Sequence, residues 1–121
     1  MINGKIFTIN TTESASFSVK VSTKNPGGQA VPVNLDEKEL HFYVKFNEQD
    51  KDEDAFIHKF TGSGITHTNP ALGEAEIDLL PSDTVSLLNT NLTHKTYWSL
   101  RVVYGSVNKF IQEGVLLITP A

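Results

Sequence analysis

The stretch from Thr93 to Pro120 limits what this chain can fold into more than any other. It reads T-H-K-T-Y-W-S-L-R-V-V-Y-G-S-V-N-K-F-I-Q-E-G-V-L-L-I-T-P. Two runs rich in aromatic and β-branched residues flank Gly105-Ser106, a turn-forming pair. In the first run Trp98, Leu100, Val102 and Tyr104 alternate with Tyr97, Ser99, Arg101 and Val103. Successive side chains of a strand point to opposite faces, so this alternation predicts a half-buried strand. The second run, Lys109 to Ile118, is more continuously apolar and fits a central strand, with Gly114 expected at a bulge or a close backbone approach. The pair makes a hairpin long enough for the middle of a sheet.

The rest of the chain supplies further strands. Lys5 to Ile9 is a short strand candidate. Phe17, Val19 and Val21 alternate with Ser16, Ser18 and Lys20. Lys24-Asn25-Pro26-Gly27-Gly28-Gln29 is the strongest turn signal, and Pro32 confines Val31 to Leu35 to an edge strand or an extended segment. Leu40, Phe42, Val44 and Phe46 form the clearest inward face of the N-terminal half. After a polar loop, Asn47 to Asp54, the parity of Phe56, His58 and Phe60 predicts a return strand with those three inward. Ile65 to Thr68 is a short strand. Ala75, Ile77 and Leu79 alternate with Glu74, Glu76 and Asp78. Pro81 to Leu88 is the one place for a helical turn, with Val85 and Leu88 on one face and Asn89 ending it.

The expected fold is therefore an all-β, antiparallel, immunoglobulin-like sandwich of about 7–9 strands, with one short helical turn near residues 81–88. A parallel βαβ unit needs helices of about ten residues or more between strands, and no stretch offers them. At 121 residues the chain reads as one domain, 1–121, able to bury about two-thirds of its unfolded surface. It has no cysteine, which removes disulfides and thiolate metal sites. Fourteen acidic against ten basic residues give a net charge of −4, which argues against a nucleic-acid role. No apolar stretch approaches the roughly 18 residues of a membrane span. Met1 to Lys5 lacks the layout of a Sec signal, so the chain is expected to be used without Sec export, or released by lysis.

Candidate chemistry is sparse. Asp50-Lys51-Asp52-Glu53-Asp54 starts like a calcium loop, but Ala55 and Thr61 stand where an EF-hand needs Gly and Glu. It reads as a solvated hairpin tip. His41, His58, His67 and His94 show no metal-binding spacing. His41 and His58 have opposite parity and are expected on different faces. Serines occur without a G-x-S-x-G elbow. The pairs Glu74/Glu76 and Glu76/Asp78 lie about 7 Å apart, as glycosidase carboxylates can, but on one strand rather than across a cleft. They read as a wet strand face. Tyr43 and Tyr97 are out of register with their inward neighbours and could be exposed, for protein contact or for sugar stacking; Trp98 and Tyr104 read as core. No catalytic residue, cofactor or metal site is expected.

The order of features also resembles a known family. Asn25-Pro26-Gly27-Gly28 precedes P-V-N-L and L-H-F-Y-V-K-F, between Pro32 and Phe46. F-I-H-K-F then leads to G-S-G-I-T-H-T-N-P, Gly62 to Pro70. G-E-A-E-I-D-L-L-P-S-D-T, Gly73 to Thr84, precedes Y-W-S-L-R-V-V-Y and a terminal E-G-V-L-L-I-T-P. This layout resembles the immunoglobulin-like N-terminal domain of phage baseplate upper proteins and related small tail and virion modules. Asn34 and Asp36-Glu37-Lys38 depart from that family's usual D-L-T-G-A, and the loop at 48–54 is long. The resemblance implies a non-enzymatic structural role in a phage tail tip or baseplate, in the virion or in the host cytoplasm before assembly. It implies other virion proteins as partners and copies that associate with one another. The alternative is a carbohydrate-binding or adhesin-type sandwich using Tyr43, Tyr97 and the loops.

Overall fold

The computed structural model describes residues 6–11, 13–87 and 93–119, with the side chains of 85–87 excepted. Ten strands occur among them. They are β1 (Ile6–Asn10), β2 (Ala15–Lys20), β3 (Ser22–Lys24), β4 (Ala30–Pro32), β5 (Glu39–Lys45), β6 (Ile57–Thr61), β7 (Gly64–Asn69), β8 (Glu74–Leu79), β9 (His94–Tyr104) and β10 (Val107–Thr119). Eight form one sheet in the order β1-β10-β9-β5-β6-β7-β8-β2, and β3 pairs with β4 in a small second sheet. The fold is all-β, and among the described residues helix is confined to short 3-10 turns at Asp52–Asp54, Pro70–Leu72 and Pro81–Leu87. The last of these is the turn expected near 81–88; Leu88 and Asn89 lie outside the described residues. Most pairings are antiparallel as expected, but β1–β10 and β6–β7 are parallel.

The large sheet curls. Its two end strands meet through Phe7 of β1 and Phe17 of β2, whose ring centroids are 4.3 Å apart. The enclosed side chains make one apolar cluster, with Leu40, Phe42 and Val44 from β5, Ala75, Ile77 and Leu79 from β8, and Trp98, Leu100 and Val102 from β9 at its heart. Trp98 sits 5.5 Å from Phe7 and 5.9 Å from Phe42, ring to ring, so it joins the end of the sheet to its centre. Burying such aromatic surface is the main stabilising term in a fold of this kind.

The terminal hairpin forms as expected, but its irregularity lies elsewhere. The register slips between Phe110 and Gln112, so the bulge is at Ile111 and not at Gly114. Gly114 is buried and stands directly opposite Trp98. Residues opposite each other in an antiparallel pair share a face, so a glycine there leaves the inner face to the indole.

β6 reverses its expected parity. Ile57 is buried while His58 and Phe60 are exposed. The register with β5 explains this: Val44 faces Ile57, and Tyr43 faces His58. The strong inward face of β5 sets the side its partner must match. Lys59 is thereby placed opposite buried Phe42, at a position turned inward. It is accommodated by Asp83, whose carboxylate lies 2.8 Å from its Nζ and also accepts the Leu80 N–H at 2.7 Å. Both side chains are mostly buried, at 14% and 16% exposure. Removing one member of such a pair strands the other charge. Asp83→Ala is expected to lose about 1–3 kcal/mol in a urea melt. Asp83→Asn keeps an acceptor for Leu80 and is expected to lose less; equal losses would show that the charge contributes nothing.

Candidate functional site

The parity of β6 brings together side chains that the sequence kept apart. On the outer face of the sheet β5 presents His41, Tyr43 and Lys45, β6 presents His58 and Phe60, and β9 presents Ser99 and Arg101. His41 Nδ1 and His58 Nε2 are 2.9 Å apart. The expectation that these histidines point to different faces is thus corrected. The His58 ring stacks on Tyr43 at 4.4 Å, and His41 stacks with Phe60 at 5.8 Å. Burial pushes the His58 pKa down, His41 adds to this, and Asp52 opposes it. Burial and then Asp52 push the Tyr43 hydroxyl pKa up, against Arg101.

The acidic loop folds onto the same face. A 3-10 turn at Asp52–Asp54 sets Asp52 between two cations, with Oδ1 3.0 Å from Lys45 Nζ and Oδ2 2.9 Å from Arg101 Nε. The Arg101 contact is an ion pair outside good hydrogen-bond alignment. Arg101 also donates from Nη1 to Asn108 Oδ1 at 3.3 Å. The loop is therefore tied to the sheet by Asp52, while Glu48, Glu53 and Asp54 remain exposed. Among the described residues no group of three or more histidines and carboxylates converges as a metal cage. Ser99 Oγ is buried and makes no hydrogen bond, and a serine nucleophile needs a base within hydrogen-bond reach.

The other candidates fall elsewhere. Glu74, Glu76 and Asp78 stand opposite Lys20, Ser18 and Ser16 of β2, and Ser16 Oγ donates to Asp78 at 2.7 Å. They face a neighbouring strand and not a cleft. Tyr97 lies 5.8 Å from Lys95 Nζ, and Tyr104, expected in the core, is exposed beneath Lys38 Nζ at 5.0 Å. Phe46, expected inward, is exposed and stacks on Phe56 at 4.2 Å. A cleft of about 410 Å³ opens near the β9–β10 turn, between Val33, Lys38, Tyr104, Lys109 and Phe110. Its size suits a small ligand, but its titratable side chains are two lysines and a tyrosine.

His67 is half-buried between strands. Thr61 Oγ1 accepts the Leu40 N–H at 2.9 Å and lies 3.0 Å from His67 Nε2, in a hydrogen bond whose direction follows the ring's tautomer. Burial lowers the His67 pKa from 6.5, partly offset by Asp36. The folded chain thus binds this proton more weakly than the unfolded chain. The stabilisation is complete above the unfolded pKa and is lost as pH falls through the lower folded value. Urea melts between pH 7.5 and 5 should show stability falling with pH below about 6.5, and His67→Gln should reduce that fall. An unchanged slope in the variant would refute the assignment.

No family model matches the chain, and no curated protein matches it in sequence. Among solved structures it is similar to the N-terminal domain of phage TP901-1 ORF48. The TM-score is 0.54 at 13% identity, over 98% of this chain and 87% of that one. At this identity the likeness is one of fold.

The sequence carried one signal for the outer-face cluster. Glu39, His41, Tyr43 and Lys45 share a parity on β5, as Ser99 and Arg101 do on β9. Nothing local announced that His58 and Asp52 would join them.

Proposed function

We propose that the chain is a non-enzymatic structural module of a phage or prophage virion. In this reading residues 1–121 form a single immunoglobulin-like domain that holds a place in a baseplate or tail tip. The observation that carries it is the fold likeness to a domain of a phage protein across 98% of the chain. It agrees with the layout of turns and strands that resembles baseplate upper proteins. The surface suits such work: Ile6, Leu72, Leu80, Phe46 and Phe110 are large apolar side chains left exposed. Apolar and aromatic side chains of this kind are what protein interfaces draw on. Its partners would be other virion proteins, and copies of the chain would meet in a symmetric assembly.

Quantitative mass spectrometry of purified particles from the encoding phage or induced prophage tests the reading. The chain is expected in the particle at a fixed copy number relative to other tail proteins. Its absence from intact particles would overturn the proposal. Glycan binding by the pure protein that disappears in Tyr97→Ala would favour a carbohydrate-binding module instead.

A further inference from the structure

We propose that His41 and His58 form a two-histidine chelate for a divalent transition-metal ion of the zinc, nickel or copper class. The proposal rests on the position of two nitrogens and is independent of the virion reading. His41 Nδ1 and His58 Nε2 face each other at 2.9 Å. Histidine nitrogens bind such ions at about 2.0–2.1 Å. Two cis ligands about 90° apart at that length are about 2.9 Å from each other, and two tetrahedral ligands about 3.4 Å. The pair therefore already stands at the separation that a chelate needs.

The rings are also held. His58 is stacked on Tyr43 at 4.4 Å and lies 5.3 Å from Phe60. Preorganised ligands lose less freedom on binding. In the metal-free pair, one of the two facing nitrogens carries a proton toward the other. Binding needs both lone pairs, so that proton moves to the far nitrogen of its own ring. For His41 the far nitrogen is Nε2, which lies 3.9 Å from Glu39 Oε1. A carboxylate behind a ligating imidazole favours this tautomer and strengthens the ligand. The charges nearby balance: Asp52 and Glu39 against Lys45 and Arg101. The remaining coordination positions are open to water or to a donor from a neighbouring molecule.

Thermal melts of the full chain with ZnCl2 or NiCl2 test this, with MgCl2 as the hard-cation control. The midpoint is expected to rise by about 5 °C when the metal is about tenfold above its Kd. MgCl2 should give no rise, because magnesium prefers oxygen ligands. His41→Ala and His58→Ala should each abolish the zinc response, and His94→Ala should keep it. An equal rise in the His41→Ala/His58→Ala double variant would overturn the proposal, as would no rise in the wild type. A readout on the unaltered protein covers variants that do not fold. Zinc should shift the imidazole 15N signals of His41 Nδ1 and His58 Nε2 and leave those of His67 in place. Unmoved signals would refute the site.

Discussion

Trp98→Ala should destabilise the protein by about 3–5 kcal/mol, the usual cost of emptying a large aromatic site in a core. Trp98 is only 2% exposed and lies against both Phe7 and Phe42. Phe7 in turn meets Phe17, the contact by which the two end strands of the sheet touch. Loss of the indole removes the support behind that contact as well as its own buried surface. Neighbouring side chains cannot fill the space without moving strands that are tied into the sheet. Urea unfolding at equilibrium measures the loss. Trp98→Phe keeps a ring and should lose clearly less. A Trp98→Ala loss below about 1 kcal/mol would mean that the curled sheet does not depend on this side chain.

Gly73→Ala is the second large effect, and it acts through the backbone. Gly73 has φ +73°, a conformation that side chains other than glycine's rarely adopt. It is buried, and an added Cβ would collide with the Val21 carbonyl oxygen and lie 2.9 Å from that of Val33. The Val21 oxygen cannot withdraw freely. The Gly73 carbonyl accepts the Val21 N–H at 2.8 Å, and the Val21 carbonyl accepts the Val33 N–H at 3.0 Å. The left-handed conformation alone costs about 1–2 kcal/mol for an L-residue. Adding overpacking against these two carbonyls raises the expected loss to about 3–4 kcal/mol. Gly28 is the control, since it has φ +83° but nothing near an added Cβ. Gly28→Ala should lose only the conformational part, about 1–2 kcal/mol. Equal losses at the two positions would show that the close approach at Gly73 is absent.

Much of this architecture is legible in the order of residues. Leu40, Phe42 and Val44, then Ala75, Ile77 and Leu79, then Trp98, Leu100 and Val102 alternate cleanly, and all of them are buried. Pro32 lies in a short strand at an edge, and Gly105-Ser106 turns the last hairpin. These signals are local. A strand with one apolar face has one way to turn it inward, and a glycine or proline acts on its own few bonds.

Phe56 to Phe60 shows where local reading stops. Both parities of F-I-H-K-F contain apolar residues, so its alternation does not choose a face. The choice comes from Val44 and Tyr43 across the strand pair, and it carries His58 to His41 and Lys59 to Asp83. Asp52 is similar. Its loop looks like a plain acidic tip until Lys45 and Arg101, far apart in sequence, stand side by side to receive it.

Alternation and turn chemistry, which act over a few residues, were enough to declare an all-β chain and most of its core. Which outward side chains share a face was settled by register between strands distant in sequence. That register is chosen by burying the best apolar faces together, so a weakly patterned strand takes its orientation from its neighbour and not from its own residues.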